Sequence, residues 1–258
     1  MRVILSRKGF DSSAGGIPSP ILPDGALLSL PIPDKDGTVR YADLRNGNES
    51  YYEIIKQLKP TAKIKPKYTC HLDPDLVRDV TPRSSQWLPL FGQCNQSQVH
   101  LAQHKIGAGD LFLFWGWFRQ TERINGELRY CPDAPDVHLI WGYMQVLKVA
   151  TGKQMPSEYA YHPHGRLSLE SNAIYEGNPA QTGVFMFHPK LVLTKAGMSR
   201  SKWEVPEFFR RVSISYHSHE SFRDGYFQSA MRGQEFVFGE SSEVEEWAEE
   251  LIGLSKSE

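Results

Sequence analysis

An α+β fold around a central mixed or barrel-like β-sheet, with peripheral helices and long ordered loops, is what this sequence predicts. Three observations predict it. Two long apolar runs with strand character stand close together, LFLFWGWFRQT at 111–121 and VHLIWGYMQVLKV at 137–149. Asn125-Gly126, between Arg123 and Leu128, is a strong hairpin signal, because both residues tolerate the positive φ of a tight turn. Helical segments are few, and they do not alternate regularly with strands, which argues against a doubly wound parallel sheet. The composition is that of a globular chain: 258 residues, 40% hydrophobic and 23% charged. One domain is expected over 1–258, with a helix at 242–254 packing on it.

Each element has its own local reason. Residues 2–7 (RVILSR) are an apolar run ended by Lys8-Gly9, and read as a buried first strand rather than a signal peptide. Residues 8–37 are rich in Gly, Pro, Ser and Asp. Pro18, Pro20, Pro23, Pro31 and Pro33 forbid a helix there, and the apolar content of 26–32 argues that the loop is ordered. Asn48 or Ser50 can cap a helix over 51–58 that ends before Pro60. Residues 67–72 read as a strand entering an acidic turn, and 96–104 as a polar helix. Residues 107–110 read as a turn. After the two long strands comes an apolar run at 183–193, a short helix at 203–210, a strand at 212–216, a helical stretch at 222–231 and a strand at 235–238. Ser241 or Ser242 caps an amphipathic helix with Val244, Trp247, Leu251 and Leu254 on one face.

Charge and cysteine content narrow the function classes. Lys and Arg number 29 against 30 Asp and Glu, which removes the simple case for a bulk polyelectrolyte binder but leaves room for a local basic groove. No segment reaches 18 apolar residues, so no membrane span is expected. Cys70, Cys94 and Cys131 are odd in number and widely spaced, which speaks against both a disulfide framework and a cysteine zinc site. They fit a reducing, cytoplasmic setting.

The stretches SRKGFDSSAGGIPSPILPDG (6–25), LSLPIPD (28–34), HLDPDL (71–76), FGQ (91–93), GDLFLFWGWFR (109–119), HLIWGYMQV (138–146), HPHG (162–165), SYH (215–217) and RGQEFVF (232–238) together resemble the nucleotide modification associated domain 3 family. The resemblance runs from the first strand to residue 238. It implies a part in modifying nucleotides or nucleic-acid bases, in company with other modification enzymes, and supplies no reaction.

Three paired donors carry the strongest chemical signal. His71-Leu-Asp73, His162-Pro-His164 and His217-Ser-His219 each place two ligand-bearing residues on one face of an extended segment. His71, Asp73, His162 and His164 are the candidate catalytic and metal-ligating residues, with iron or zinc as the metal and a two-histidine, one-carboxylate set as the simplest site. The order His-x-Asp followed by a distant His is similar to non-haem iron and 2-oxoglutarate oxygenases. That likeness would make 2-oxoglutarate a cosubstrate and Arg166 its anchor. A plainer reading makes HLDPDL a turn that starts a helix capped by Asp73 or Asp75, and HPHG a loop whose imidazoles bond backbone.

The loop after the first strand is the second candidate. Arg7 offers a planar fork, Lys8 a point charge and Gly9 close backbone approach, so Arg7, Lys8 and Ser12 are expected to hold a phosphate-bearing substrate, with both cations free for it past the strand end. Asp11 joins the acid-base candidates, unless it simply pairs Arg7. Trp115 and Trp141 are candidate stacking faces for a planar base, against the alternative that the aromatic band is core. Gln93 and His100 lie in an amide-rich stretch that can read a base edge or cap a helix. The segment 106–149 is also similar to small PUA-like barrels. The leading expectation is a nucleotide- or base-modifying enzyme, metal-dependent if the pairs converge. The alternatives are a non-catalytic PUA-like module that recognises a modified base, and a metal-dependent enzyme acting on a small metabolite.

Overall fold

Residues 3–6 are buried on both faces, so they belong inside a sheet rather than at its rim. The computed structural model, which describes residues 1–256, places them in β1 (Val3–Arg7), parallel to β4 (Leu111–Ile124) on one side and antiparallel to β8 (Glu235–Val237) on the other. The remaining strands of this sheet are β2 (Ser19–Ile21), β3 (Leu90–Gln93), β5 (Glu127–Tyr130), β6 (Val137–Thr151) and β7 (Ala173–Val184). The eight-stranded mixed sheet runs β8-β1-β4-β6-β7-β3, with β2 and β5 also paired to β4, and it curls into an open half-barrel. Asn125 and Gly126 both take positive φ in the β4–β5 turn, as a tight hairpin requires.

Three helices lie around this sheet. α1 (Tyr51–Leu58) begins at a capping box in which Ser50 Oγ accepts from Glu53 N and Glu53 accepts from Ser50 N, an arrangement worth about 1 kcal/mol. It packs with Phe10, Leu28, Leu30, Tyr41 and Leu44 into a second apolar cluster that holds the long 8–37 loop in place. The loop is ordered by bonds as well as by packing: Phe10 N donates to Leu30 O, and Tyr41 Oη donates to Pro31 O at 2.6 Å. α2 is Asn95–Gln103 and α3 is Ser242–Gly253. The buried face of α3, Val244, Ala248, Leu251 and Ile252, joins the main core against the sheet. Among the described residues no helix is long and apolar enough to cross a membrane. The three cysteines are free thiols.

Three local expectations are corrected. Residues 222–231 form a hairpin of Phe222–Arg223 and Tyr226–Gln228 instead of a helix, because Asp224-Gly225 turns the chain with Gly225 at positive φ. The expected helix at 203–210 shrinks to the single turn Glu207–Arg210 behind Pro206. Residues 212–216 contribute one bridge, Ile214 to Phe238, and no strand. In the apolar run at 183–193, Val184 ends β7 and Pro189 opens a one-turn helix.

Candidate metal centre

Three loops meet beside the ends of β1 and β3. The first brings His71. Its backbone N–H donates to Ile32 O, and Pro33 bridges Cys70, so the 32–34 and 70–71 segments lie side by side. This pairing puts Asp34 Oδ2 3.0 Å from His71 Nδ1. Burial alone would raise the Asp34 carboxyl, but the His71 ring and the amides of Asp36 and Gly37 pull it below its ordinary value. A carboxylate is acceptor only, so it fixes the proton of His71 on Nδ1 and turns Nε2 toward the cleft.

Asp73 is nearly buried, and Gly92 N on β3 donates to its Oδ1 at 2.7 Å. Burial would raise this carboxyl too. The His162 N–H, the neighbouring His162 and His164 rings, and the charge of Lys8 outweigh it and hold Asp73 far below the usual carboxylate range. His162 Nδ1 accepts the His164 amide at 3.3 Å, so its proton sits on Nε2, 3.2 Å from Asp73 Oδ1 and off the line of a full hydrogen bond.

His164 lies within the one-turn helix Pro163–Arg166 and packs its ring over Gly92, where a Cβ would come within 2.2 Å of the imidazole. Only glycine fits there. Asn172 Nδ2 donates to His164 O and Leu167 O at 2.8 and 2.9 Å, which turns its oxygen toward the ring at 2.8 Å from Nδ1. His164 therefore carries its proton on Nδ1. Burial pushes its pKa down to about 4, so it is neutral at ordinary pH with a free Nε2 lone pair.

Three ligand atoms thus face one another. His71 Nε2 is 3.3 Å from His164 Nε2, and Asp73 Oδ2 is 3.8 and 4.0 Å from the two nitrogens. A triangle of sides 3.3, 3.8 and 4.0 Å has its equidistant point about 2.2 Å from each corner, the length of a bond from zinc or iron to imidazole or carboxylate. Two imidazole lone pairs this close, beside a carboxylate, repel unless a cation or a shared proton lies among them. His162 has no lone pair left on the nitrogen that faces Asp73, so the expected four-residue set reduces to the three atoms that converge.

The centre opens onto a cleft of about 390 Å³ lined by Arg7, Lys8, Asp11, Gln93, Cys94 and Gln234 beside the three ligand-bearing residues. The structure brings Arg7, His71, Asp73 and His164 to one cleft, with buried His162 behind Asp73. Lys8 lines the cleft but is committed: Nζ is 3.1 Å from Glu235 Oε1, and both side chains are almost wholly buried. Gln93 Nε2 donates to the same carboxylate at 2.7 Å, so neither Lys8 nor Gln93 is free for substrate. Asp11 spends Oδ1 on Ser13 N, Ser13 Oγ and Ala14 N within its own turn.

Four other expected residues lie elsewhere. Trp115 is completely buried against His138 and Trp203, and has no open ring face. Trp141 is buried and faces a separate cavity of about 240 Å³ on the far side of the Asp73-Pro74 turn. His100 bonds Ser215 Oγ at 3.0 Å. Arg166 points out of the turn that directs His164 inward, and its Nε donates to Ala160 O. Nor does HLDPDL start a helix. Asp75 is a buried structural anchor paired to Arg83 at 2.6 Å.

The residues that sequence reasoning missed are Asp34, Gly92, Asn172 and Glu235. Asp34 ends LSLPIPD and Gly92 centres FGQ, so both sat inside quoted stretches as unassigned letters. Asn172 had no signal at all. The family model for nucleotide modification associated domain 3 matches residues 2–239. No curated protein and no solved structure matches the chain. The chain belongs to the nucleotide modification associated domain 3 family, which ties it to nucleotide modification.

Proposed function

We propose that this nucleotide modification associated domain 3 protein is a metal-dependent enzyme that modifies a nucleotide or a nucleic-acid base, with His71, Asp73 and His164 holding one divalent ion. The observation that carries the reading is the facing arrangement of the His71 and His164 lone pairs and Asp73 Oδ2, each about 2.2 Å from a common point. Two imidazoles and a carboxylate on one side of an ion leave its other positions open to the cleft, a donor set that suits ferrous iron and also zinc. The bound ion would supply Lewis-acid or redox chemistry at those positions.

The chain's own residues do the rest. Asp34 and Asn172 hold the two Nδ1 protons and so aim both Nε2 atoms. The Gly92 amide and His162 fix the Asp73 carboxylate. Arg7, which makes no ion pair among the described residues, stands at the mouth where an anionic substrate enters. The rival reading, a module that stacks a modified base on the aromatic strands, has less support, since Phe112, Phe114 and Trp115 are all fully buried.

Elemental analysis of the purified protein tests the proposal. About one equivalent of a transition metal is expected, retained through gel filtration and lost in His71→Ala and His164→Ala variants that still fold. A wild-type protein that holds no metal and takes up neither ferrous iron nor zinc overturns it, and leaves the two histidines as a proton-sharing pair.

A further inference from the structure

A second cleft of about 400 Å³ adjoins the metal cleft and shares Arg7, Lys8, Asp11 and Ser13 with it. Its other wall holds Ser12, Trp117, His138, Arg200, Ser201 and Met231. Lys8 is committed to Glu235, but the two guanidinium groups keep most of their donors free. Arg200 stacks over Trp117 at 4.1 Å and donates one bond, to Ser12 Oγ. The Arg7 guanidinium donates one long bond, 3.5 Å to Met231 O, and lies 6.0 Å from the Trp115 ring centre. Each guanidinium has five N–H donors, and neither meets a carboxylate within ion-pair distance among the described residues. His138 Nδ1 accepts the Trp203 indole N–H at 3.1 Å, so its remaining proton is on Nε2, a further donor on this wall. The indole N–H of Trp117 is buried with no acceptor. Asp11, the one carboxylate in the lining, is largely engaged in its own turn.

We infer that this cleft is the phosphate subsite of the substrate, with Arg7 and Arg200 clamping a phosphate ester and His138 donating to it, while the group to be modified reaches the metal cleft next door. Two forks in fixed positions recognise a phosphate bidentately, and a neutral imidazole N–H adds a donor without a further charge to desolvate. The inference rests on the enzyme reading for its meaning but not for its test. The shared chemistry is a phosphate ester, and it has two sources: the terminal phosphate of a mononucleotide or the backbone of a strand.

The test is calorimetric titration of the full chain, stripped of metal by chelation, with deoxynucleoside 5′-monophosphates, the matching nucleosides, and a single-stranded 12-mer without terminal phosphates. Monophosphates binding at least tenfold more tightly than nucleosides support the inference and assign a terminal phosphate. Tight binding of the 12-mer alone, weakening with salt, supports it and assigns a backbone phosphate. Arg200→Gln and Arg7→Gln are each expected to weaken the preferred probe about 10- to 100-fold with circular dichroism unchanged. Arg200→Lys should recover part of the loss, and Arg166→Gln, an arginine outside both clefts, should leave this affinity as it was. Equal affinity for nucleosides and nucleotides, or an unchanged affinity in folded Arg200→Gln, overturns the subsite. Either result is independent of whether the protein holds metal, so the two readings fail separately.

Discussion

The chain contains His-x-Asp or His-x-His three times, and the copies have different fates. At 71–73 and 162–164 each outward lone pair is left over because another side chain has taken the opposite ring nitrogen: Asp34 for His71 and Asn172 for His164. At 217–219 the same spacing yields nothing comparable. His217 Nδ1 lies 3.0 Å from Ser215 O and Nε2 accepts the Ala230 amide at 3.0 Å, so both nitrogens are spent on backbone, while His219 faces solvent. The motif is therefore a necessary letter pattern and no more. The oxygen that holds each imidazole's far nitrogen decides whether it can become a ligand.

This contrast can be broken or sharpened by experiment. The largest effect is expected for Gly92→Ala, because the new methyl group would overlap the His164 ring. The variant should lose about 3 kcal/mol in urea denaturation and most of its metal affinity. Unchanged metal binding would show that the ring can move without cost. Next is Asn172→Ala, which frees His164 Nδ1 and should weaken metal affinity about 10- to 100-fold in a competition titration. An equal loss in His217→Gln would erase the distinction between the pairs.

A single imidazole outside the pairs gives the third effect. Burial, with the charges of Arg200 and Arg7, lowers the His138 pKa to about 3. The unfolded chain then takes up the proton first as pH falls below about 6.5, so stability present at neutral pH is lost on acidification, by about 2 kcal/mol at pH 5. His164, also depressed, adds its own loss in the chelated protein, so chelated wild type should fall more steeply between pH 7 and pH 5 than His138→Phe, by about 2 kcal/mol. An identical slope in both would remove His138 as its source. The smallest effect is for His217→Gln itself: about 1 kcal/mol of stability, from the unpaired Ala230 amide, and no change in bound metal.

How much of this was legible follows the same division. The long strands, the Asn125-Gly126 hairpin and the capped helix at 51–58 were readable because their causes are local. The 222–231 hairpin was not read, since Asp224-Gly225 competes with a helical pattern only once Phe227 finds its place in the core. In the site, His71, Asp73 and His164 could be singled out as residue types at a telling spacing. Asp34, Asn172 and Gly92 could not, because an acid, an amide and a glycine acquire a role only when the fold sets them against a ring. Lys8 was misread for a related reason: it looks like a free cation until Glu235, 227 residues away, is placed beside it.

That last separation bears on how the protein comes into being. β1 is made before β4 and β8, yet it lies between them, and Lys8 just past its end pairs with Glu235, 227 residues later. At roughly 5–20 residues per second, a ribosome takes about 10–45 s to deliver the partner of Lys8 after making Lys8 itself. Until then the nascent chain carries Arg7 and Lys8 beside an unfilled strand position. A product interrupted between residues 164 and 235 retains all three metal-facing side chains but lacks the carboxylate that seats Lys8. Assembly of the site is thus tied to completion of the sheet, and translation itself decides when the centre can first form.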